Sequence, residues 1–244
     1  MPRRLQDLLD DLPMENLSPA WLDANLADFG QAIRLWEYQQ DALRNALKGL
    51  WKYYQDGEPY RPGQPCDASQ RRKQRLYGWY QANHLVEDLA ISLRSTARGL
   101  VNLLEDYYPV DAGSISYQHF INRMCFWMAT GSGKTLVSLL AMLRVVDNGH
   151  QCAILAPTEV LAAQHYRTVM TMLGDLARGG QLGAADSATQ VALLTGSQKT
   201  AERKQTLLDI VTGQAGIVIG THALLEDNVE FFDLGMVVVD EQHR

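Results

Sequence analysis

Hydrophobic positions in this chain follow two rhythms, and the change falls near residue 123. In "LWEYQQDALRNALKGLWKYY", Leu35, Tyr38, Ala42, Ala46, Leu50 and Tyr54 recur every three or four residues. That spacing predicts an amphipathic helix ending before the Gly57 to Pro65 stretch. A second stripe, Leu85, Leu89, Leu93, Ala97, Leu100 and Leu104, runs toward Pro109 and predicts another helix. Between the two lie three prolines and then a basic cluster, Arg71, Arg72, Lys73 and Arg75. The cluster reads either as a phosphate contact or as a solvated loop leading into a helix. The 14 basic residues before residue 124 are matched by 16 acidic ones, which favours the second reading.

After residue 123, short apolar runs alternate with helical segments. The runs are "MCFWM" (124–128), "CAILA" (152–156), "VALL" (191–194), "IVIG" (217–220) and "MVVV" (236–239). Continuous apolar strands separated by helices predict an α/β lobe, a parallel sheet covered on both faces. Helices are expected from Lys134 to Asp147, from an N-cap at Thr158 to near Gly174, and from Thr200 to Thr212. Residues 174–190 are rich in Gly and Ala and predict a surface loop. The chain divides into a mainly helical region, 1–123, and the α/β lobe, 124–244.

At 244 residues and 46% hydrophobic content the chain can build a proper core. Its 22 Lys and Arg against 28 Asp and Glu give a formal charge of -6, so any nucleic-acid binding must be local. No apolar stretch is long enough for a bilayer span, and acidic residues interrupt "MPRRLQDLLDDLP", which excludes a secretory signal. A cytoplasmic location is expected. Cys66, Cys125 and Cys152 lack metal-ligand spacing, and the two in strand-like runs are expected to be buried free thiols.

The chemistry begins where the first apolar run meets "ATGSGKT". Thr130, Gly131, Ser132 and Gly133 predict a tight loop whose backbone N–H groups cradle phosphate oxygens at the start of the next helix. Lys134 then reaches the β- and γ-phosphates of ATP, and the Thr135 hydroxyl is placed to ligate Mg2+. The usual GxxxxGK[ST] pattern would have Gly at 128, where this chain has Met. A Gly-rich turn capping an ordinary helix is the alternative, but strand, loop, GKT and helix follow the order that the mechanism requires. The last apolar run supplies carboxylates in "VVVDEQHR". Asp240 is expected to hold Mg2+ through water, and Glu241 to orient and deprotonate the attacking water.

The phosphate loop, "APTEVLAAQ" and "DEQHR", in this order, resemble motifs I, Ia and II of superfamily 2 helicases. From about Gly149 onward, "APTEVLAAQHYRTVMTMLG", "VALLTG", "GIVIGTHALLEDNVEF" and "LGMVVVDEQHR" resemble the first motor lobe of the RecG branch-migration helicase family. The resemblance implies a RecA-like P-loop NTPase lobe and a partner in DNA, whose backbone would be tracked by Pro157, Thr158, Gln164, Thr195, Gly196, Thr221 and His222. From the residues alone, Thr158 reads as an N-cap and His222 as a loop histidine. Small hydroxyls and amides near helix starts can hold phosphates with little charge, in keeping with a lobe that carries 8 basic and 12 acidic residues from 124 onward.

The region before residue 123 departs from RecG, because nothing in it reads as a five-stranded barrel. "LWEYQQDALRNALKGLWKYY" and "FINRMCFWMATGSGKTLV" instead resemble helicases of the type III restriction subunit kind. That likeness implies an adenine contact from Gln39 beside Tyr38; the alternative is a Gln on a helix face. The two likenesses meet between Leu136 and Gly149. Superfamily 2 motors hydrolyse ATP between two RecA-like lobes, the second supplying arginines. Since this sequence stops at motif II, a second lobe is expected as partner, and the chain alone is expected to bind ATP but turn it over very slowly. Three functions stand open: a DNA helicase or translocase lobe acting in recombinational repair, the motor part of a restriction system, and a non-enzymatic interaction fragment.

Overall fold

The structure is a computed structural model that describes residues 4–22, 35–55, 67–85, 90–92, 109, 111–112, 114–125, 128, 131–177 and 188–240. Contacts divide it into two units: Met1–Ser18 with Arg44–Met128, and Pro19–Leu43 with Ala129–Arg244.

The first unit is mainly helical. Helices α1 (Leu5–Asp10), α3 (Glu37–Tyr54) and α4 (Asp67–Ala82) contribute to it, while α2 (Pro19–Leu22) and the first turns of α3 belong to the second unit. The expected helix forms at α3, but its buried face is offset from the expected stripe. Leu43, Leu47 and Trp51 are buried, whereas Tyr38 is exposed. Two apolar stripes overlap in that helix, and the one carrying the larger side chains takes the core. Leu8, Leu76, Tyr80, Leu85 and Ile121 form a cluster. Inside it, burial raises the Tyr80 hydroxyl pKa, with Tyr117 adding to the shift. The buried Lys48 ammonium donates to the Leu9 carbonyl at 2.7 Å, closing the end of α1.

Three expectations for this region are corrected. Of the stripe 85–104, the described residues Ala90–Ser92 form strand β1, paired antiparallel with β2 (Ser114–Ser116); most of the remainder lies outside the described residues. The basic cluster lies on α4 and not in a loop, since no Gly or Pro occurs between Pro65 and Gly78. Arg72 is buried with its guanidinium 4.9 Å from the Tyr54 ring centre, and Lys73 donates to the His119 carbonyl at 3.3 Å. Cys125 is exposed, whereas Cys152 is buried and its thiol pKa is raised by that burial. Cys66 lies outside the described residues.

The second unit is a RecA-like α/β lobe. Strands β3 (Gln151–Leu155), β4 (Gln190–Leu194), β5 (Ala215–Gly220) and β6 (Leu234–Val239) make a parallel sheet in the order β4-β5-β3-β6. Helices α5 (Lys134–Asp147), α6 (Glu159–Leu173) and α7 (Thr200–Val211) connect and cover it. All six residues of β5 are buried, as a doubly covered central strand requires. The edge strand β6 differs from the expected pattern: Leu234, Val237 and Val239 are 42%, 50% and 50% exposed. Among the described residues it pairs only with β3, so its outer side lacks cover. In the run expected as a strand at 124–128, Met124, Cys125 and Met128 are not in a strand, and 126–127 lie outside the described residues.

One buried side chain closes the amino end of this sheet. Gln151, 3% exposed, donates from Nε2 to the Ile210 carbonyl at 3.0 Å and to the Ala215 carbonyl at 2.7 Å, while its Oε1 accepts from the Asp233 N–H at 3.1 Å. Replacing it by Leu leaves three backbone groups without that partner, each worth about 1–3 kcal/mol when unsatisfied and buried. Gln151→Leu is therefore expected to lower the unfolding free energy of the lobe by about 3 kcal/mol in urea denaturation; an unchanged midpoint would contradict this.

Candidate nucleotide-binding site

The parallel topology gathers the candidate residues at one end of the sheet. Pro157 and Thr158 follow β3, Thr195 and Gly196 follow β4, Thr221 and His222 follow β5, and Asp240 follows β6. The phosphate loop arrives at the same end by a different route. Helix α5 has 14 residues and is therefore roughly 21 Å long. A tight turn reverses the chain into β3, whose five residues span about 17 Å, so the start of α5 returns to the carboxyl end of β3. Ligands of open α/β sheets bind at that end.

Within the loop, Gly131 and Gly133 have φ values of 77° and 83°, a region glycine enters without the strain of a Cβ. Gly133 caps α5, whose first N–H groups have no partner within the helix. The Ser132 Oγ is buried and, among the described residues, without a hydrogen-bond partner. A buried hydroxyl left unpaired at a helix start fits an oxyanion ligand better than it fits a plain turn. Lys134 is exposed and Thr135 half-buried in the first turn. Thr130 and Glu241 lie outside the described residues. For Mg2+ the donor set is suitable, because the Thr135 hydroxyl is a hard oxygen ligand and the Asp240 carboxylate a hard oxygen acceptor for metal-bound water.

Gln39 packs directly on this loop. Its Nε2 donates to the Ser132 carbonyl at 2.8 Å, the Tyr38 hydroxyl donates to the same oxygen at 3.3 Å, and the Gln39 Oε1 accepts from the Trp36 N–H at 2.9 Å. Gln39 is 7% exposed, and a Cβ on Gly133 would run into its amide. The side chain therefore sets the position of the loop carbonyl at the amino end of α5.

The residues assigned to the DNA backbone fall into two groups. Thr158, Gln164, Gly196 and His222 are exposed and Pro157 is half-buried, whereas Thr195 and Thr221 are buried at 5% and 6%. The Thr158 hydroxyl accepts from the Leu161 N–H at 3.3 Å, so it does cap α6. Further residues hold these turns together and were not apparent in the sequence. Glu159 accepts from the Ser197 N–H at 3.0 Å and from its hydroxyl at 2.6 Å, tying the start of α6 to the turn after β4. Arg203 donates to the Thr195 carbonyl at 3.2 Å and pairs with Glu226 at 2.6 Å. His165 meets Asp240, with Nε2 2.7 Å from Oδ2. No sequence pattern announces these partners, because each pair is separated by more than twenty residues or bridges two different elements.

The Glu159 carboxyl is held below the usual glutamate range, chiefly by the Ser197 hydroxyl; desolvation opposes the shift, and the Ser197 and Gly196 backbone amides add to it. A carboxyl whose pKa is lowered on folding contributes stability above its unfolded pKa and loses it as pH falls through the folded one. A carbon-13 NMR titration is expected to show a depressed Glu159 pKa that returns toward the ordinary range in Ser197→Ala. An unshifted Glu159 in both proteins would contradict the pairing.

Comparison with known proteins bears on the whole site. The DEAD/DEAH box helicase family model matches residues 114–244, more than half of the chain. The ATP-dependent DNA helicase RecG of Mycobacterium tuberculosis is 52% identical over 163 residues, 67% of this chain and 21% of that protein. RecG of Mycobacterium leprae is 64% identical over 114 residues (47% and 15%), and RecG of Aquifex aeolicus 38% over 160 residues (65% and 18%). A match of 163 residues cannot fit after Gly149, so the likeness to RecG continues upstream through the phosphate loop. The chain spans about a fifth of the length of such relatives. A solved structure of RecG bound to a three-way DNA junction is 25% identical, with a TM-score of 0.40, over 73% of this chain and 25% of that one. By the extent of the family match, the chain belongs to the DEAD/DEAH box helicases.

Proposed function

We propose that the chain is the ATP-binding first motor lobe of a RecG-like DNA helicase, coupling ATP hydrolysis to movement along DNA in the full-length protein. The observation that carries this reading is the convergence of the glycine loop, its buried unpaired Ser132 hydroxyl and the Asp240 carboxylate at the carboxyl end of one parallel sheet.

In this reading the amides of Gly131, Ser132 and Gly133, with Thr130, surround the phosphates, and Lys134 supplies the positive charge toward the β- and γ-phosphates. Mg2+, bound by Thr135 and through water by Asp240, would offset charge on the transferring phosphoryl group. Glu241 would orient the attacking water and accept its proton. Gln39 and Tyr38, which already hold the Ser132 carbonyl, would contact adenine from beside the loop. Pro157, Thr158, Gln164, Gly196 and His222 would meet the DNA backbone directly. The buried Thr195 and Thr221 would act there through their backbone and the shape of their turns. A second RecA-like lobe would complete the cleft.

Equilibrium titration with a fluorescent ATP analogue and Mg2+ tests this. The chain is expected to bind saturably, and Lys134→Ala to weaken binding about tenfold or more, the loss of a close charge-assisted contact. Equal affinity in the two proteins would remove the phosphate loop from the account.

A further inference from the structure

Among the described residues of the α/β lobe, two His–Asp pairs lie at opposite ends of the sheet, and they differ in one respect. At the amino end, His150 Nδ1 is 2.8 Å from Asp233 Oδ2, and both side chains are 15% exposed. That pair is closed off and ties two turns together. At the carboxyl end, His165 Nε2 is 2.7 Å from Asp240 Oδ2; the imidazole is again 15% exposed, but the carboxylate is 38% exposed. Here a largely buried ring supports a carboxylate that remains open to solvent.

Asp240 is also fixed through its backbone, since its N–H donates to the Leu155 carbonyl at 3.0 Å and so extends the β3–β6 ladder by one step. Helix α6, which carries His165, follows β3 after only three residues. Strand β3 therefore holds the Asp240 backbone, and the helix that β3 leads into holds the side chain. An ionised carboxylate only accepts hydrogen bonds, so in this pairing Nε2 carries the hydrogen. Carboxylates that bind metals are commonly oriented in this way by a second group that does not touch the metal.

We propose that His165 is a positioning residue for the metal-binding carboxylate, holding Asp240 Oδ2 so that the carboxylate is presented toward Mg2+ in a single orientation. This rests on the reading of Asp240 as the Mg2+ carboxylate of a nucleotide site.

The test uses the whole chain with Mn2+ in place of Mg2+. Electron paramagnetic resonance measures free Mn2+ at saturating ADP, and a fluorescent ADP analogue measures nucleotide affinity without metal. His165→Gln keeps an N–H donor near the position of Nε2, whereas His165→Met fills the same space without one. His165→Met is expected to raise the half-saturating Mn2+ concentration about tenfold, with His165→Gln much closer to the parent, as for loss and retention of a supporting hydrogen bond. Metal-free ADP affinity should be the same in all of them, and His150→Met should leave the Mn2+ requirement unchanged. Circular dichroism confirms that each variant is folded. An unchanged Mn2+ requirement in folded His165→Met, or a requirement in His165→Gln equal to that in His165→Met, would overturn the proposal. Failure of the parent chain to bind ADP at all would overturn the motor-lobe reading, and this inference with it.

Discussion

A parallel sheet cannot be built from hairpins. Each strand must be followed by a crossover that returns the chain to the starting end, and in this lobe helices α6 and α7 and the 221–233 segment make those returns. The same requirement buries the central strand on both faces, so Ile217, Val218 and Ile219 are fully enclosed. It also fixes where polar chemistry can be placed. With all strands pointing one way, residues just past their carboxyl ends share one surface, although they lie far apart in sequence. Pro157, Thr195, Thr221 and Asp240 are brought together in this way.

The two ends of the sheet carry different hydrogen-bond arrangements. At the amino end, Gln151 bridges three backbone groups, and His150 closes on Asp233. At the carboxyl end, hydrogen bonds fix the glycine loop and the turns that follow the strands. Gln39 and Tyr38 fix the loop carbonyl of Ser132, yet the Ser132 hydroxyl finds no partner among the described residues. Glu159 and Arg203 fasten the turns that present Thr158, Gly196 and Thr195. The Asp240 carboxylate is steadied from α6 while more than a third of its side chain remains exposed. Unsatisfied polarity costs stability, and a buried hydroxyl such as that of Ser132 at a helix start is what a phosphate-binding loop would show.

Local signals made much of this legible in the sequence. Helix α5 starts at Lys134 and ends at Asp147 as the GKT pattern and Gly149 predict, and Thr158 caps α6. The strands after residue 150 fall within two residues of their apolar runs, because continuous burial leaves a continuous apolar signature. What depended on distant partners was not legible. Nothing in the Leu85 to Leu104 stripe announced that Ala90–Ser92 would pair with Ser114–Ser116. Arg72 reads as solvated until Tyr54 is brought beneath it. The pairing of His165 with Asp240 joins residues on α6 and just after β6, and only the fold supplies that contact.

The proposed function requires phosphate to bind at the carboxyl end of the sheet, where the loop and Asp240 lie. Backbone amide shifts from nitrogen-15 NMR, recorded while ADP and Mg2+ are added, test it residue by residue. The account predicts the largest shifts at Gly131, Ser132, Gly133, Lys134 and Thr135, a smaller one at Asp240, and none at Gly149 or Gly213 at the amino end. Shifts centred on Gly149 and Gly213, or no shifts at the loop, would contradict it.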